Sequence, residues 1–280
     1  MSMWKRRQPS GFVLLFLGLL GLGAGLIGAL AADGPADVKG EDLKPKWNVD
    51  DSWVIETTTK VIQARNDLGE KKPAPINWKL TVKKAEKVAG HECHRLDVAC
   101  LDDKGNVDKT QPGSVLWIDQ KSMALRQLQT QLPVPGGFRT ITESYAFGDN
   151  QPAPVTAPLT ALVLDVPLFT PGATRGLEKF SYEAVSGAGG KRAANDVAFA
   201  VDIEQHITPA KEEDVKRLVS DEFKEFNRDL KAKPVVEVKL KTSEREVRQL
   251  WQVGQPWPLY ANNGQTTARL IKVTLAQPKN

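Results

Sequence analysis

From Trp47 onward the chain alternates apolar and polar residues with a period of two, and short turn-forming clusters interrupt the alternation at brief intervals. Successive side chains of an extended strand point to opposite faces, so the pattern describes half-buried strands and excludes a helical bundle. WKLTVKKAEKV, residues 78–88, sets Trp78, Leu80 and Val82 against Lys79, Thr81 and Lys83. Ala89-Gly90 turns the chain. HECHRLDVACL, 91–101, then places Leu96, Val98 and Cys100 on one face, and Asp102 to Asn106 turn it again. WVIETTTKVI (53–62), SVLWID (114–119), ALRQLQTQL (124–132) and FRTITESYAF (138–147) read the same way. So do KFSYEAVSG (179–187), VAFAVDIEQHI (197–207), VVEVKLKT (235–242), EREVRQLWQV (244–253) and TARLIKVTL (267–275). Their β-branched residues fit a pleated surface. Short alternating strands joined by such turns predict an antiparallel sheet with one wet face.

Three segments break the rhythm. KEEDVKRLVSDEFKEFNRDLKAK, 211–233, carries Val215, Leu218, Val219, Phe226 and Leu230 at helical spacing, and Phe223 widens the stripe. Thr208 offers a cap and Pro209 a first helical position. Seven acids balance seven bases on the other face. A membrane-surface helix favours Lys and Arg there, so the spacing predicts one long amphipathic helix docked on the sheet. GDNQPAPVTAPLTALVLDVPLFTPGATRG, 148–176, has five prolines around an apolar centre from Leu159 to Phe169. Proline at that density forbids a central strand. Two readings stand: a packed crossing between two halves of the sheet, or a lid over a ligand cavity. RQLWQVGQPWPLYANNGQTTARL, 248–270, is the third. Gln255-Pro256 and Trp257-Pro258 force extended backbone, and Asn262-Asn263-Gly264 suits a tight hairpin turn. The stretch reads as strand, stiffened corner, hairpin, strand; its alternative is an exposed aromatic platform for a glycan or peptide.

At the N-terminus, Lys5, Arg6 and Arg7 precede an uncharged apolar run from Gly11 to Ala32 that ends in Ala29-Leu30-Ala31 and is followed by Asp33, Gly34 and Pro35. A basic region, an apolar region and a small-residue site together form a secretory signal. An uncleaved anchor is the competing reading, since the run is long enough to span a bilayer. Removing the leader takes three of the cations, so a net charge of +4 falls to about +1. That leaves no electrostatic footprint for nucleic acid. The expected organisation is a signal peptide over 1–31, a flexible tether over 32–46 and a β-rich domain over 47–280. The domain divides into two faintly similar halves, 47–148 and 177–280. The likeness lies in strand order: 51–59 with 78–86 against 178–187 with 197–205.

Motifs for chemistry are absent: no G-x-S-x-G, H-E-x-x-H, P-loop or dinucleotide fingerprint occurs. The histidines are His91, His94 and His206. On a strand His91 and His94 face opposite sides, and Cys93 does not share the face of His94, so they cannot readily hold one zinc. Ser186 to Gly190 is glycine-rich but leads into a strand, as a hairpin loop does. No catalytic residue, metal site or cofactor is expected. Cys93 and Cys100 lie seven residues apart on one extended strand, about 23 Å, too far for a disulfide.

WNVDDSWVI and TVKKAEKVAGHECHRLDV, with the leader, the curved sheet and the helix lying on it, give the chain a resemblance to the bacterial lipoprotein-carrier half-barrels (LolA/LppX-like) over about 47–275. The resemblance is architectural and carries over no binding residue. It implies a mainly β fold: a strongly curved antiparallel, half-barrel-like sheet with one long helix packed on it. It also implies an exported, non-enzymatic envelope protein that holds a lipid or other apolar ligand in the concave face. The ligand-binding candidates are Leu159, Leu162, Leu164 and Phe169 of the crossing and Trp251 and Trp257 of the corner. The alternative is a periplasmic or extracellular scaffold with a filled sheet, no ligand and an envelope protein as partner. Cavity volume separates the two, since a ligand pocket needs several hundred cubic ångströms.

Overall fold

The computed structural model describes residues 38–59, 74–145, 153–154, 156–158, 165–167, 174–186, 191–227, 233–243 and 246–276. The alternating segments become strands. The first run holds β1 (Ser52–Thr59), β2 (Ile76–Val88), β3 (His91–Cys100), β4 (Ser114–Asp119), β5 (Leu125–Val134) and β6 (Gly137–Ser144). The middle holds β7 (Ala153–Pro154), β8 (Thr156–Pro158), β9 (Asp165–Pro167), β10 (Arg175–Ser186) and β11 (Lys191–Asp202). The last run is β12 (Glu204–Pro209), helices α1 (Glu212–Leu218) and α2 (Asp221–Phe226), then β13 (Val235–Lys241), β14 (Glu246–Gln252), β15 (Tyr260–Asn262) and β16 (Thr266–Thr274).

Eleven of these strands form one antiparallel sheet in the order β12-β13-β14-β15-β16-β1-β2-β3-β4-β5-β6. Each run is a meander, and the two meet where β1 pairs with β16, from Ser52 opposite Thr274 to Thr59 opposite Thr266. The sheet is open, with β6 and β12 as its edges. Hairpin chemistry sets the register. Between β2 and β3, Ala89 (φ 47°) and Gly90 (φ 90°) both take left-handed backbone, the two-residue turn whose twist matches that of paired strands.

The register also explains the core. Trp53 lies opposite Leu80, Ile55 opposite Trp78, Val82 opposite Leu96, Leu96 opposite Leu116, and Leu116 opposite Leu128. All are buried and belong to one large cluster. A smaller cluster gathers Val236, Val238 and Leu240 of β13, Val247 and Trp251 of β14, Val201 and Leu43. Leu43 lies within the segment expected as a tether, yet it is 1% exposed. The chain is therefore docked from about Val38, which packs against the same cluster.

Two expectations are corrected. Residues 211–233 do not form one long helix: α1 ends at Leu218, α2 starts at Asp221, and Val219 and Ser220 between them have ψ of 137°. Ser-Asp-Glu is itself a helix-start signal, because acids suit the positive end of a helix, and here it overrides the running periodicity. The break rotates the apolar stripe. Phe223 is fully buried beside Val219, while Phe226 is 67% exposed, with the Lys272 ammonium 6.0 Å above its ring. Nor do Thr208 and Pro209 open the helix: they end β12, and Lys211 is the residue before α1.

The described parts of the proline-rich crossing are β7 to β9. β7 pairs in parallel with β10, β8 pairs with β9, and β9 lies against β15 and β16. The faint likeness between halves is not carried into strand order. β1 and β2 are central in the large sheet, whereas β10 and β11 pair in a three-stranded sheet of their own.

Candidate functional site

The aromatic centre of the molecule forms where the chain enters β1 and where the Trp-Pro corner joins β14 to β15. Trp47 and Trp53 stack with ring centroids 5.5 Å apart, Trp53 and Trp257 lie 5.6 Å apart, and Trp47 and Trp257 6.5 Å. Such offset pairs add about 0.5–1.5 kcal/mol each beyond their burial. The Trp47 indole N–H donates to the Pro256 carbonyl at 2.9 Å, fastening the incoming chain to the corner. Prolines 256 and 258 stiffen that corner, and Gly254 (φ 85°) allows its bend. His94 stands edge-on to Trp47 at 5.2 Å. Burial, and then the Lys44 ammonium, lower the pKa of His94 and favour its neutral form. Trp78 donates to Thr57 Oγ1 at 2.9 Å. The buried indole N–H groups of Trp53 and Trp257 have no partner among the described residues, a cost of about 1–3 kcal/mol apiece where none is made.

On the face of β3 opposite His94 sits a buried polar cluster that β4 and β5 complete. Asp119, 4% exposed, ends β4. Its Oδ1 accepts from the backbone N–H groups of Lys121 and Ser122 at 2.9 and 2.8 Å. Its Oδ2 lies 2.9 Å from His91 Nδ1 and 3.3 Å from Arg126 Nη2. Burial works to raise the carboxyl, but the donated hydrogen bonds and the Arg126 charge hold it below the usual carboxylate range. Cys93 faces Asp119 across the ladder. Burial, together with that carboxylate, pushes its thiol up to about 11. A thiol held protonated at neutral pH is a poor nucleophile. His91 and His94 do face opposite sides, as strand alternation requires. Both cysteines are free and buried.

A second polar group fixes the helices. Asp214 of α1 pairs with Arg217 and with Arg248 of β14, each at 2.7 Å, and Arg248 also holds Glu237 of β13. Lys224 of α2 donates to the Lys216 carbonyl at 2.7 Å, so the two helices brace each other across their break.

An open recess of about 190 Å³ is lined by Asp97, Val98, Gly113, Ser114, Val115, Gln129 and Gln131. Polar and apolar surface line it about equally, and no tryptophan is among the lining residues. Also among the described residues, no group of three His, Cys, Asp or Glu side chains is placed to hold a metal ion, and no helix is long and apolar enough to cross a membrane.

Of the six residues expected to bind ligand, Leu159, Leu162, Leu164 and Phe169 lie outside the described residues. Trp251 and Trp257 are both 4% exposed, but they are not brought together. Trp257 belongs to the large cluster and Trp251 to the small one, where its indole donates to Gln249 Oε1 at 2.8 Å. The sequence reading did not single out Asp119 and Arg126. A carboxylate before a tight Gln-Lys-Ser turn is a readable turn signal, but an arginine inside a strand carries no mark of burial.

Fold and site together define a mainly β protein built on one open, eleven-stranded antiparallel sheet, with tryptophans filling the core at its centre. No family model, curated protein or solved structure matches the chain.

Proposed function

We propose that the chain is an exported, non-enzymatic protein of the bacterial cell envelope that acts as an interaction or scaffold module, its half-barrel-like sheet filled by its own side chains. One observation carries the reading: Trp47, Trp53 and Trp257 pack against one another and fill the large core cluster on the sheet. A carrier cavity needs about 300–1,000 Å³ of mainly apolar space. The recess beside Gly113 and Gln131 is smaller than that, about 190 Å³, and no tryptophan lines it. The leader with Lys5, Arg6 and Arg7 before an apolar run supports export. A near-neutral mature chain argues against nucleic acid as a partner.

A lipid or other apolar ligand in the concave face is the second reading, and one observation favours it. Among the described residues the buried N–H groups of Trp53 and Trp257 have no acceptor, and an ester or carboxylate oxygen of a ligand would satisfy them. Native mass spectrometry of the protein purified from its envelope fraction decides between the two. The filled-sheet reading expects the bare polypeptide mass. A co-purified lipid that quenches tryptophan emission when added back overturns it in favour of the carrier.

A further inference from the structure

The two edges of the large sheet differ in how they are protected. β12, EQHITP, ends in Pro209, which cannot donate a ladder hydrogen bond. β6, GFRTITES, contains neither Pro nor Lys, and six of its eight residues are exposed. Phe138 beside the hairpin turn is 37% exposed and Val134 before it is 41% exposed. An unprotected edge of this kind is a template for another strand.

The hydrogen bonding of β5 with β6 shows what the edge presents. Tyr145, just beyond β6, donates its N–H to Arg126 at 2.8 Å, and Gln131 donates in the other direction, to Gly113 at 3.1 Å. In an antiparallel ladder, bonded and non-bonded pairs alternate. The paired register from Gln127–Ser144 to Val134–Gly137 therefore turns the backbone groups of Arg139, Ile141 and Glu143 toward β5. Those of Phe138, Thr140, Thr142 and Ser144 point outward. Among the described residues no strand pairs with them.

We infer that this edge docks on the same edge of a second copy of the chain, two β6 strands pairing antiparallel about a two-fold axis at Ile141. Charge complementarity selects both the partner and the register. With Ile141 opposite Ile141 of the copy, Thr140 lies opposite Thr142 and Phe138 opposite Ser144, and these pairs carry the outward hydrogen bonds. Arg139 then falls opposite Glu143 at both ends. These are non-bonded positions, where facing side chains come closest and opposite charges add most. Arg139 has no ion pair among the described residues. Glu143 accepts from the Tyr145 hydroxyl, and a carboxylate has further lone pairs for a guanidinium. Moving the strands by one pair of residues to either side removes the Arg139–Glu143 match. Two such edges form an isologous, closed interface. The surface is distinct from the filled aromatic face, so this dimer and the filled-sheet reading can fail independently.

The test is a charge exchange read by sedimentation equilibrium on the purified protein, with far-ultraviolet circular dichroism as a folding control. Wild type is expected to dimerise. R139E and E143R, which place like charges opposite each other at both ends, should each raise the dimer dissociation constant by about tenfold. The double variant R139E/E143R restores the pairing with its sign reversed and should recover wild-type affinity. T142P, which removes an outward N–H that β5 does not use, should give a folded monomer. A wild type that stays monomeric at every concentration overturns the inference, as does a dimer whose affinity the single exchanges leave unmoved. A dimer weakened by both single exchanges but not recovered in the double variant overturns the register.

Discussion

Asp119 shows how much one side chain can hold in place. It caps the turn after β4 through two backbone N–H groups and balances Arg126, which is 4% exposed. D119N keeps the shape but removes the carboxylate charge 3.3 Å from the buried Arg126 guanidinium, a loss of about 3–5 kcal/mol. Urea unfolding at neutral pH measures it. The effect depends on pH with a definite sign. The folded carboxyl titrates below its ordinary range, so its contribution is complete above the unfolded value of about 4. It is lost as pH falls through the depressed folded value. The stability gap between wild type and D119N should therefore shrink on acidification below that range; a gap that widens there would contradict the assignment. Cys93 gives a second expectation at this scale. With its thiol pushed up to about 11 and its side chain fully buried, it should resist iodoacetamide in the native protein near neutral pH. After unfolding without reductant both Cys93 and Cys100 should label, because neither is in a disulfide.

At the scale of elements, the broken helix is the informative case. The expectation of one stripe through Phe226 rests on uninterrupted 3.6-residue periodicity, and two extended residues are enough to rotate α2 onto Phe223. F223A removes a fully buried aromatic and should cost about 3–5 kcal/mol. F226A removes an exposed ring and should change stability by no more than about 0.5 kcal/mol. Thermal or urea unfolding of the two variants side by side checks the pair, and the reverse ranking would restore the single helix. The Trp-Pro corner offers a milder test. W47F keeps an aromatic ring against Trp53 and Trp257 but loses the hydrogen bond to the Pro256 carbonyl. It should cost about 1–3 kcal/mol, the penalty for a buried acceptor left without its donor.

At the scale of the whole molecule, export and assembly are open to direct measurement. The small-residue site before Asp33 predicts a mature N-terminus at Ala32 or Asp33, and N-terminal sequencing of the exported form checks it; Met1 retained in a membrane fraction would mean an anchor instead. Much of the fold was legible in the sequence because a strand's period of two, its Gly and Asn turns and its proline breaks are local properties. Ala89-Gly90 and Asn262-Asn263-Gly264 could be placed as turns for that reason. The sequence by itself determined that the chain is mainly β, where turns such as Ala89-Gly90 fall, and that Cys93 and Cys100 on one extended strand stay apart. Only the tertiary structure decided that β1 joins β16, that Trp47 and Trp257, more than two hundred residues apart, stack within one core, and that Phe223 is buried in place of Phe226. The physical reason is one of range. Backbone conformation answers to neighbours a few residues away, whereas burial and pairing depend on which distant surfaces meet, and no local pattern records that meeting.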